Sequence, residues 1–511
     1  MLKILHIIDT LSSAGPTRSL IAAAKYAAQQ SILQQHRVIT LQPKVNPFAL
    51  ILAKQADITV FRKPDQQSLL HEIEQADIVQ VHFWNNPEMY DFLRAKLPAM
   101  RLLMWFQVMG DKPPQIITPV LVEYSDFALA SSPCTLELPI FQVLSETLKS
   151  QKTSVVYSPA DWERLTNLQP RSHENFNVGY IGTVNFAKMH PRYIPISAAI
   201  TIPNIRFIVC GGGIQATLQQ QAIDLGAAEK FDFRGYVENI KPVLETLDVF
   251  GYPLCADTYA TSEKSLQEAM FAGVPPVVFP YGGVKDLVKH EQTGLVVNSE
   301  AEYQQAIEYL YYHPDVRLKL GQNAANYARQ VFDSKKAVWQ LHQVYDRMMK
   351  SPKRQRTWKD SATVTQHPTS ASLFVQTLGD SAPQFNISMT AVEREVLLEA
   401  DAKIANASAL LSGGEGGIIN YRNSYPNDGY LRLWSGLVLQ KQGKHSTALE
   451  EFVAAIELGI EHWRVYWYLA QSALQVEDFS TVKTALCQVI NAAPNFMEAQ
   501  VLFQTFQQSP P

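Results

Sequence analysis

The stretch that decides the fold is TSEKSLQEAMFAGVPPVVFPYGGVKDLVKHEQTG, residues 261–294. Glu268 opens an apolar helical run that stops at Ala272-Gly273. A proline-led strand follows, then a Gly282-Gly283 turn, then a second helix starting near Lys285. A helix N-terminus presents unpaired N–H groups and the positive end of a dipole, which suits a diphosphate. Paired glycines let backbone N–H groups approach an anion closely. A carboxylate such as Glu268 can accept both hydroxyls of a ribose. The same residues also fit an ordinary strand–helix crossover with turn glycines, and these properties alone leave both readings open.

Working outward, residues 1–160 alternate short apolar strands with amphipathic helices. Strands are expected at Ile4–Ile8, Arg37–Leu41, Ile58–Phe61, Ile78–His82, Leu102–Phe106, Phe127–Ser131 and Ser154–Tyr157. The pattern restarts after Pro170–Glu174, with strands at Val178–Ile181, Arg206–Cys210, Phe231–Phe233, Val249–Tyr252, Val277–Phe279 and Leu295–Val297. Such alternation implies parallel sheets covered on both faces. The expected fold class is α/β: two doubly wound Rossmann-like domains in series, then an all-α region. Two such domains place a ligand cleft at the carboxyl ends of their strands.

The full string, with EAM-x-AG-x-P and GG-x-x-D in register, resembles the nucleotide-sugar site of retaining glycosyltransferases with the two-domain GT-B fold, the family-4 class. The resemblance covers about two thirds of the chain. It implies an N-terminal acceptor domain over 1–165, a nucleotide-sugar domain over 166–333, and a helix over 334–349 crossing back to complete the first. Trp339 and Tyr345 suit that packing. The implied activity is transfer of a hexose from a nucleotide-diphosphate sugar to an acceptor hydroxyl with retained anomeric configuration. The acceptor is then a glycan, a lipid-linked sugar or a protein. The family usually needs no metal or other cofactor.

Residue by residue, the resemblance assigns Glu268 to the donor ribose, and Gly15, Gly282 and Gly283 to the diphosphate and sugar. Gly182 and Lys188 follow the strand Val178–Ile181, where the family neutralises the leaving diphosphate. Thr183 stands where an arginine is usual, with Asn185 and Arg192 as candidate replacements. Cys210–Gly213, including Gly212, matches the glycine-rich turn near the base, and Arg234–Val237 the segment that reads it. Ala260 stands where the family often has a first glutamate facing the sugar. Glu263 and Ser262 are the candidates to take over that role. On the acceptor side His82 ends a strand as in the family, and Gln107 stands where a histidine is usual. Because of these departures a non-catalytic GT-B scaffold remains the alternative to an enzyme.

Composition narrows the setting. A net charge of −4 over 511 residues gives no general electrostatic case for nucleic acid. Four cysteines far apart in sequence argue against a disulfide framework and fit a reducing, cytoplasmic compartment. No apolar run is long enough for a membrane span. Residues 350–388 read as a mobile linker; its basic cluster, Lys350, Lys353, Arg354, Arg356 and Lys359 beside Trp358, is a candidate for peripheral contact with anionic lipid. From 389 to 511 a helical pattern repeats. Gly436, Ala448, Phe452, Ala455 and Ile460 recur 34 positions later as Ala470, Val482, Leu486, Val489 and Pro494. That period resembles tetratricopeptide repeats, which implies a protein partner.

Overall fold

The computed structural model describes residues 1–359 and 369–508. The chain forms two compact units: Met1–Trp84 with Glu88–Trp358, and Asn85–Pro87 with Lys359–Pro511.

The first unit holds two parallel sheets. Its N-terminal lobe contains β1 (Leu2–Ile8), β2 (Gln34–Thr40), β3 (Thr59–Arg62), β4 (Ile78–Phe83), β5 (Leu102–Phe106), a small antiparallel hairpin of β6 (Asp111–Lys112) and β7 (Gln115–Ile116), β8 (Phe127–Ala130) and β9 (Thr153–Val155). The main sheet runs β3-β2-β1-β4-β5-β8-β9, parallel throughout. The C-terminal lobe contains β10 (Phe176–Ile181), β11 (Ile205–Cys210), β12 (Phe231–Gly235), β13 (Val249–Tyr252), β14 (Pro276–Val278) and β15 (Leu295–Val296). These run β12-β11-β10-β13-β14-β15, again parallel. Burial on both faces explains why β4, β5 and β10 read as continuous apolar runs: every residue in them is buried.

Strand order reverses beside β1 in one sheet and beside β10 in the other. Loops leaving those two strands are therefore splayed apart and open a crevice at the carboxyl edge. The loop before Gly15 and the loop Gly182–Lys188 occupy those positions.

Helix Ser334–Met349 packs on the N-terminal lobe. Ala337, Val338, Leu341, Val344, Tyr345 and Met348 join Tyr26, Leu103, Trp105, Phe127 and Leu129 in one buried cluster. The Tyr345 hydroxyl donates to Gln80 Oε1 at 2.6 Å. Trp339, by contrast, is half exposed and takes no part in that cluster.

The expected linker is ordered at both ends. Arg354 pairs backbone to backbone with Met100, at 3.0 and 3.2 Å. Asp126 accepts from both Arg354 (3.0 Å) and Arg356 (2.6 Å), and Lys353 donates to the Glu74 carbonyl. Trp358 packs between Tyr90 and Tyr124. Two of the guanidinium groups assigned to a lipid-facing cluster are thus held by one carboxylate. The polar composition of this segment concealed partners that lie more than 200 residues away in sequence. Residues 360–368 of the expected linker lie outside the described residues.

The second unit is all helical. After Ser370–Leu378 and Pro383–Thr390, whose Phe374 and Phe385 are buried, come Gly429–Lys441, His445–Glu457, Trp463–Gln475, Phe479–Ala492 and Met497–Gln508. Of the positions spaced by 34 residues, Ala448, Phe452, Ala455, Ala470, Val482, Leu486 and Val489 are fully buried in this core, whereas Ile460 is half-buried and Pro494 is exposed. Gly436 is small because a Cβ there would lie 2.5 Å from the Phe452 ring. Asp401 and Arg464 form a buried ion pair at 3.4 Å, and Tyr468 donates to the same carboxylate at 3.0 Å. Among the described residues no helix is long and apolar enough to cross a membrane.

Candidate active site

The 261–294 stretch folds as the sequence orders it. Helix Lys264–Phe271 is followed by β14, the Gly282-Gly283 turn and a single helical turn, Val284–Leu287. Both glycines are required by close packing of backbone on backbone. A Cβ on Gly282, which has φ +60°, would lie 2.5 Å from the Ala260 carbonyl oxygen, and one on Gly283 would lie 2.5 Å from that of Thr261. The Gly283 N–H donates to the Ala260 carbonyl at 2.8 Å. That N–H is therefore already engaged, and Gly283 shapes the turn rather than offering a free donor.

The first turn of helix Lys264–Phe271 carries no side-chain cap and no acidic residue. Glu268, one turn further on, is buried at 4% exposure. Its carboxylate pairs with Arg164, which comes from the short turn Trp162–Leu165 between the lobes. This partner was not legible in the sequence, since a lone arginine in a turn carries no periodicity. From the same connecting segment, the Ser158 carbonyl accepts from Lys264 Nζ.

Lys188 and Glu263 meet at 2.7 Å, and both side chains are largely buried. The Tyr252 hydroxyl donates to the same Glu263 oxygen at 2.6 Å. Burial pulls the Lys188 ammonium down, but the Glu263 carboxylate, with Tyr259 and Cys255, outweighs it and leaves its pKa raised. Burial, with Glu263 next, pushes the Tyr252 phenol well above its ordinary value, so it stays a neutral donor. The two candidates of opposite charge thus form one unit, seated on Tyr252 at the end of β13. Thr183 is exposed, and Arg192 is engaged by Glu300 at 3.3 Å. Ser262 accepts from Gln267 at 2.8 Å.

The glycines after β11 divide by role. A Cβ on Gly211 would lie 1.7 Å from the Gly182 carbonyl oxygen, and one on Gly213 would lie 2.0 Å from that of Val184. These two let the loops after β10 and β11 touch. Gly212 has nothing within 4 Å of its Cβ position and is open. Arg18 donates to the hydroxyl of Tyr236, within the segment Arg234–Val237, at 3.2 Å.

The N-terminal lobe closes the crevice. Gly15 opens helix Gly15–Gln29, and its Cβ position is 3.8 Å from Lys264 Cγ. Thr261 bonds Ser131 Oγ at 3.0 Å and donates to the Gln107 carbonyl at 3.1 Å. Asp286 of the GG-x-x-D string accepts from the Cys134 N–H at 3.0 Å and the Ser132 hydroxyl at 3.4 Å. Lys285 pairs with Glu137 at 2.7 Å. Gln107 is therefore brought to the crevice through its backbone. His82 is not: it is buried at 2% exposure behind Gln107, in a chain His36–His6–His82 with nitrogen separations of 2.9 and 3.1 Å. Burial pushes His82 down to about 3 and His36 to about 4, and burial first, then its two neighbours, keeps His6 well below its ordinary value. All three are neutral rings at neutral pH, held within the lobe's interior by its parallel strands.

Residues 144–327 match the family Glycosyl transferases group 1. That segment includes Lys188, Gly212, Glu263, Glu268 and both turn glycines. A curated relative, EpsD of Bacillus subtilis (strain 168), bears the name of a glycosyltransferase; it is 24% identical over 197 residues, 38% of this chain and 51% of EpsD. The uncharacterised glycosyltransferase MJ1607 of Methanocaldococcus jannaschii is 25% identical over 180 residues, 30% of this chain and 45% of that protein. The chain thus spans about half the length of the curated relatives it matches. Among solved structures, HepE of Anabaena, crystallised with UDP and glucose, aligns over 68% of this chain and all of its own, at 18% identity and a TM-score of 0.55. That likeness shows the fold, which is the GT-B fold. The family match and the glycosyltransferase-named relatives support a glycosyltransferase.

Proposed function

We propose that this protein is a retaining glycosyltransferase that moves a hexose from a nucleotide-diphosphate sugar to an acceptor hydroxyl. The observation that carries the reading is the convergence in one crevice of Glu268, the Lys188–Glu263 pair and the Gly15 loop, drawn from both lobes. Glu268 is a buried carboxylate suited to two ribose hydroxyls once Arg164 yields it. Lys188 supplies positive charge beside the leaving diphosphate. One neighbouring fold, HepE of Anabaena, crystallised both with UDP and glucose and with UDP-glucose, favours a donor of this class.

In the proposed reaction the bond from the donor's anomeric carbon to the β-phosphate oxygen breaks. The acceptor oxygen bonds that carbon on the same face, and the acceptor proton passes to the departing phosphate. The chain's part is to orient the donor and stabilise the charge developing on the leaving group. No metal is needed in this scheme, because Lys188 and the uncapped helix end at Lys264 offset that charge. Glu263 faces the sugar in place of the residue replaced by Ala260, and Gln107 lines the acceptor side. The acceptor is a glycan, a lipid-linked sugar or a protein in polysaccharide or glycoconjugate synthesis. The helical second unit, whose 34-residue spacing resembles tetratricopeptide repeats, docks a protein partner.

A thermal-shift panel of UDP-, GDP-, ADP- and TDP-sugars on the wild type and Glu268→Ala tests the reading. A ligand at 100 times its dissociation constant adds about 2.7 kcal/mol to the folded state. The expected result is stabilisation of the wild type by one donor and loss of that shift in the variant. A wild type stabilised by none of them would refute the reading and leave a scaffold acting through its helices.

A further inference from the structure

Lys264 is a cation in an electrostatically poor place. It is the first residue of its helix, where the macrodipole favours anions, and the first turn has no side-chain cap. Its neighbour one turn on, Glu268, is paired with Arg164. Glu263, the preceding residue, is paired with Lys188. Among the described residues no carboxylate forms an ion pair with Lys264; its one hydrogen-bond partner is the neutral Ser158 carbonyl. Facing its stem is Gly15, whose Cβ position lies 3.8 Å from Lys264 Cγ, and Arg18, three residues on, is turned to Tyr236. The helix end and the Lys264 amine therefore lie together at the point where the two lobes meet, the amine held only by a neutral carbonyl.

We propose that Lys264 binds the diphosphate of the donor, supplying the second positive charge that is missing at Thr183. This rests on the glycosyltransferase reading above and adds to it a residue and a proton. Burial draws the Lys264 ammonium down to about 7, against the opposing pull of Glu268 and Glu263. A bound diphosphate restores its charge, so binding above neutral pH takes up a proton.

The test is calorimetric titration of the full chain with UDP, GDP, ADP and TDP at pH 8, each in two buffers of different ionisation enthalpy. At that pH the terminal phosphate is almost fully ionised, its second pKa being about 6. Free Lys264 is then about nine-tenths neutral, so the nucleotide that binds should take up close to one proton. Lys264→Met should weaken binding at least about tenfold and abolish the uptake. Lys264→Arg, permanently charged, should keep most of the affinity while also abolishing the uptake. That variant decides the matter even if Lys264→Met does not fold. Binding by the wild type without proton uptake, or uptake that survives in Lys264→Arg, overturns the assignment and leaves the donor reading intact. Absence of binding by all four nucleotides overturns both.

Discussion

Replacing Glu263 by alanine should unfold this protein more readily than any ordinary surface change, for a reason visible in three distances. Its carboxylate stands 2.7 Å from Lys188 Nζ and 2.6 Å from the Tyr252 hydroxyl, and Lys188 lies within 6.0 Å of the Tyr252 ring centre. Lys188 and Glu263 side chains are only 12% and 9% exposed. Alanine would strand a buried ammonium and a buried phenol together. Removing one partner of such a pair costs about 3–5 kcal/mol, mostly from the charge left behind. Replacing both, as in Lys188→Met with Glu263→Ala, removes that charge and should recover at least about 2 kcal/mol of the loss. Urea unfolding followed by tryptophan fluorescence, on the wild type, both single variants and the double variant, gives the cycle. The raised pKa of Lys188 sets its pH range: the stabilisation is fully present below the unfolded value of 10.5 and is lost only as pH rises through the higher folded value. The cost should therefore be flat between pH 7 and pH 9. A Glu263→Ala cost below about 1 kcal/mol, or single costs that simply add in the double variant, would refute the argument that the pair is a buried unit.

Three further outcomes follow from the same structure. The histidine rings of the N-terminal lobe are neutral when folded and have folded pKa values below 6.5, so they bind protons mainly on unfolding, and stability should fall as pH drops from 6.5 toward 4. His36→Leu should flatten that fall by about 1.4 kcal/mol per pH unit between pH 6 and 4.5, as read from urea midpoints, and an unchanged slope would contradict the burial argument. Gly283→Ala should abolish stabilisation by nucleotide sugar while leaving circular dichroism unaltered, because its Cβ would press on the Thr261 backbone; retained stabilisation would show the turn to be pliant. Asp126→Ala should release Arg354 and Arg356 and accelerate trypsin cleavage after them, and cleavage at the wild-type rate would mean that the backbone pairing with Met100 and the packing of Trp358 hold the segment without Asp126.

Much of the architecture was legible because parallel strands buried on both faces leave an unmistakable mark. Runs such as Ile78–His82 and Leu102–Phe106 are apolar, short and bounded by polar residues, and each became a strand within a residue or two of its expected ends. The hairpin at Asp111–Ile116 was not, since two-residue strands have no period to read. At the crevice, residue types and chain order pointed to Glu268, Lys188, Glu263 and the paired glycines. What they touch was hidden. Arg164 is 104 residues from Glu268, and Ser158 is 106 from Lys264, and no local pattern encodes such pairings. His82 was misplaced for a related reason. A polar residue at the end of a strand reads as facing the ligand, yet here two other histidines on neighbouring strands offer it an internal partner chain.

The helix Ser334–Met349 has a consequence for how the chain comes off the ribosome. It covers Leu103, Trp105, Phe127 and Leu129, side chains of the first lobe. Roughly 180 residues separate the end of that lobe's last strand from the helix, and at 5–20 residues per second their synthesis takes about 10 to 40 s. For that interval the nascent first lobe carries an uncovered aromatic and aliphatic strip while the second lobe is still being made. A chain cut before Ser334 should therefore yield a lobe prone to clump rather than a smaller working protein.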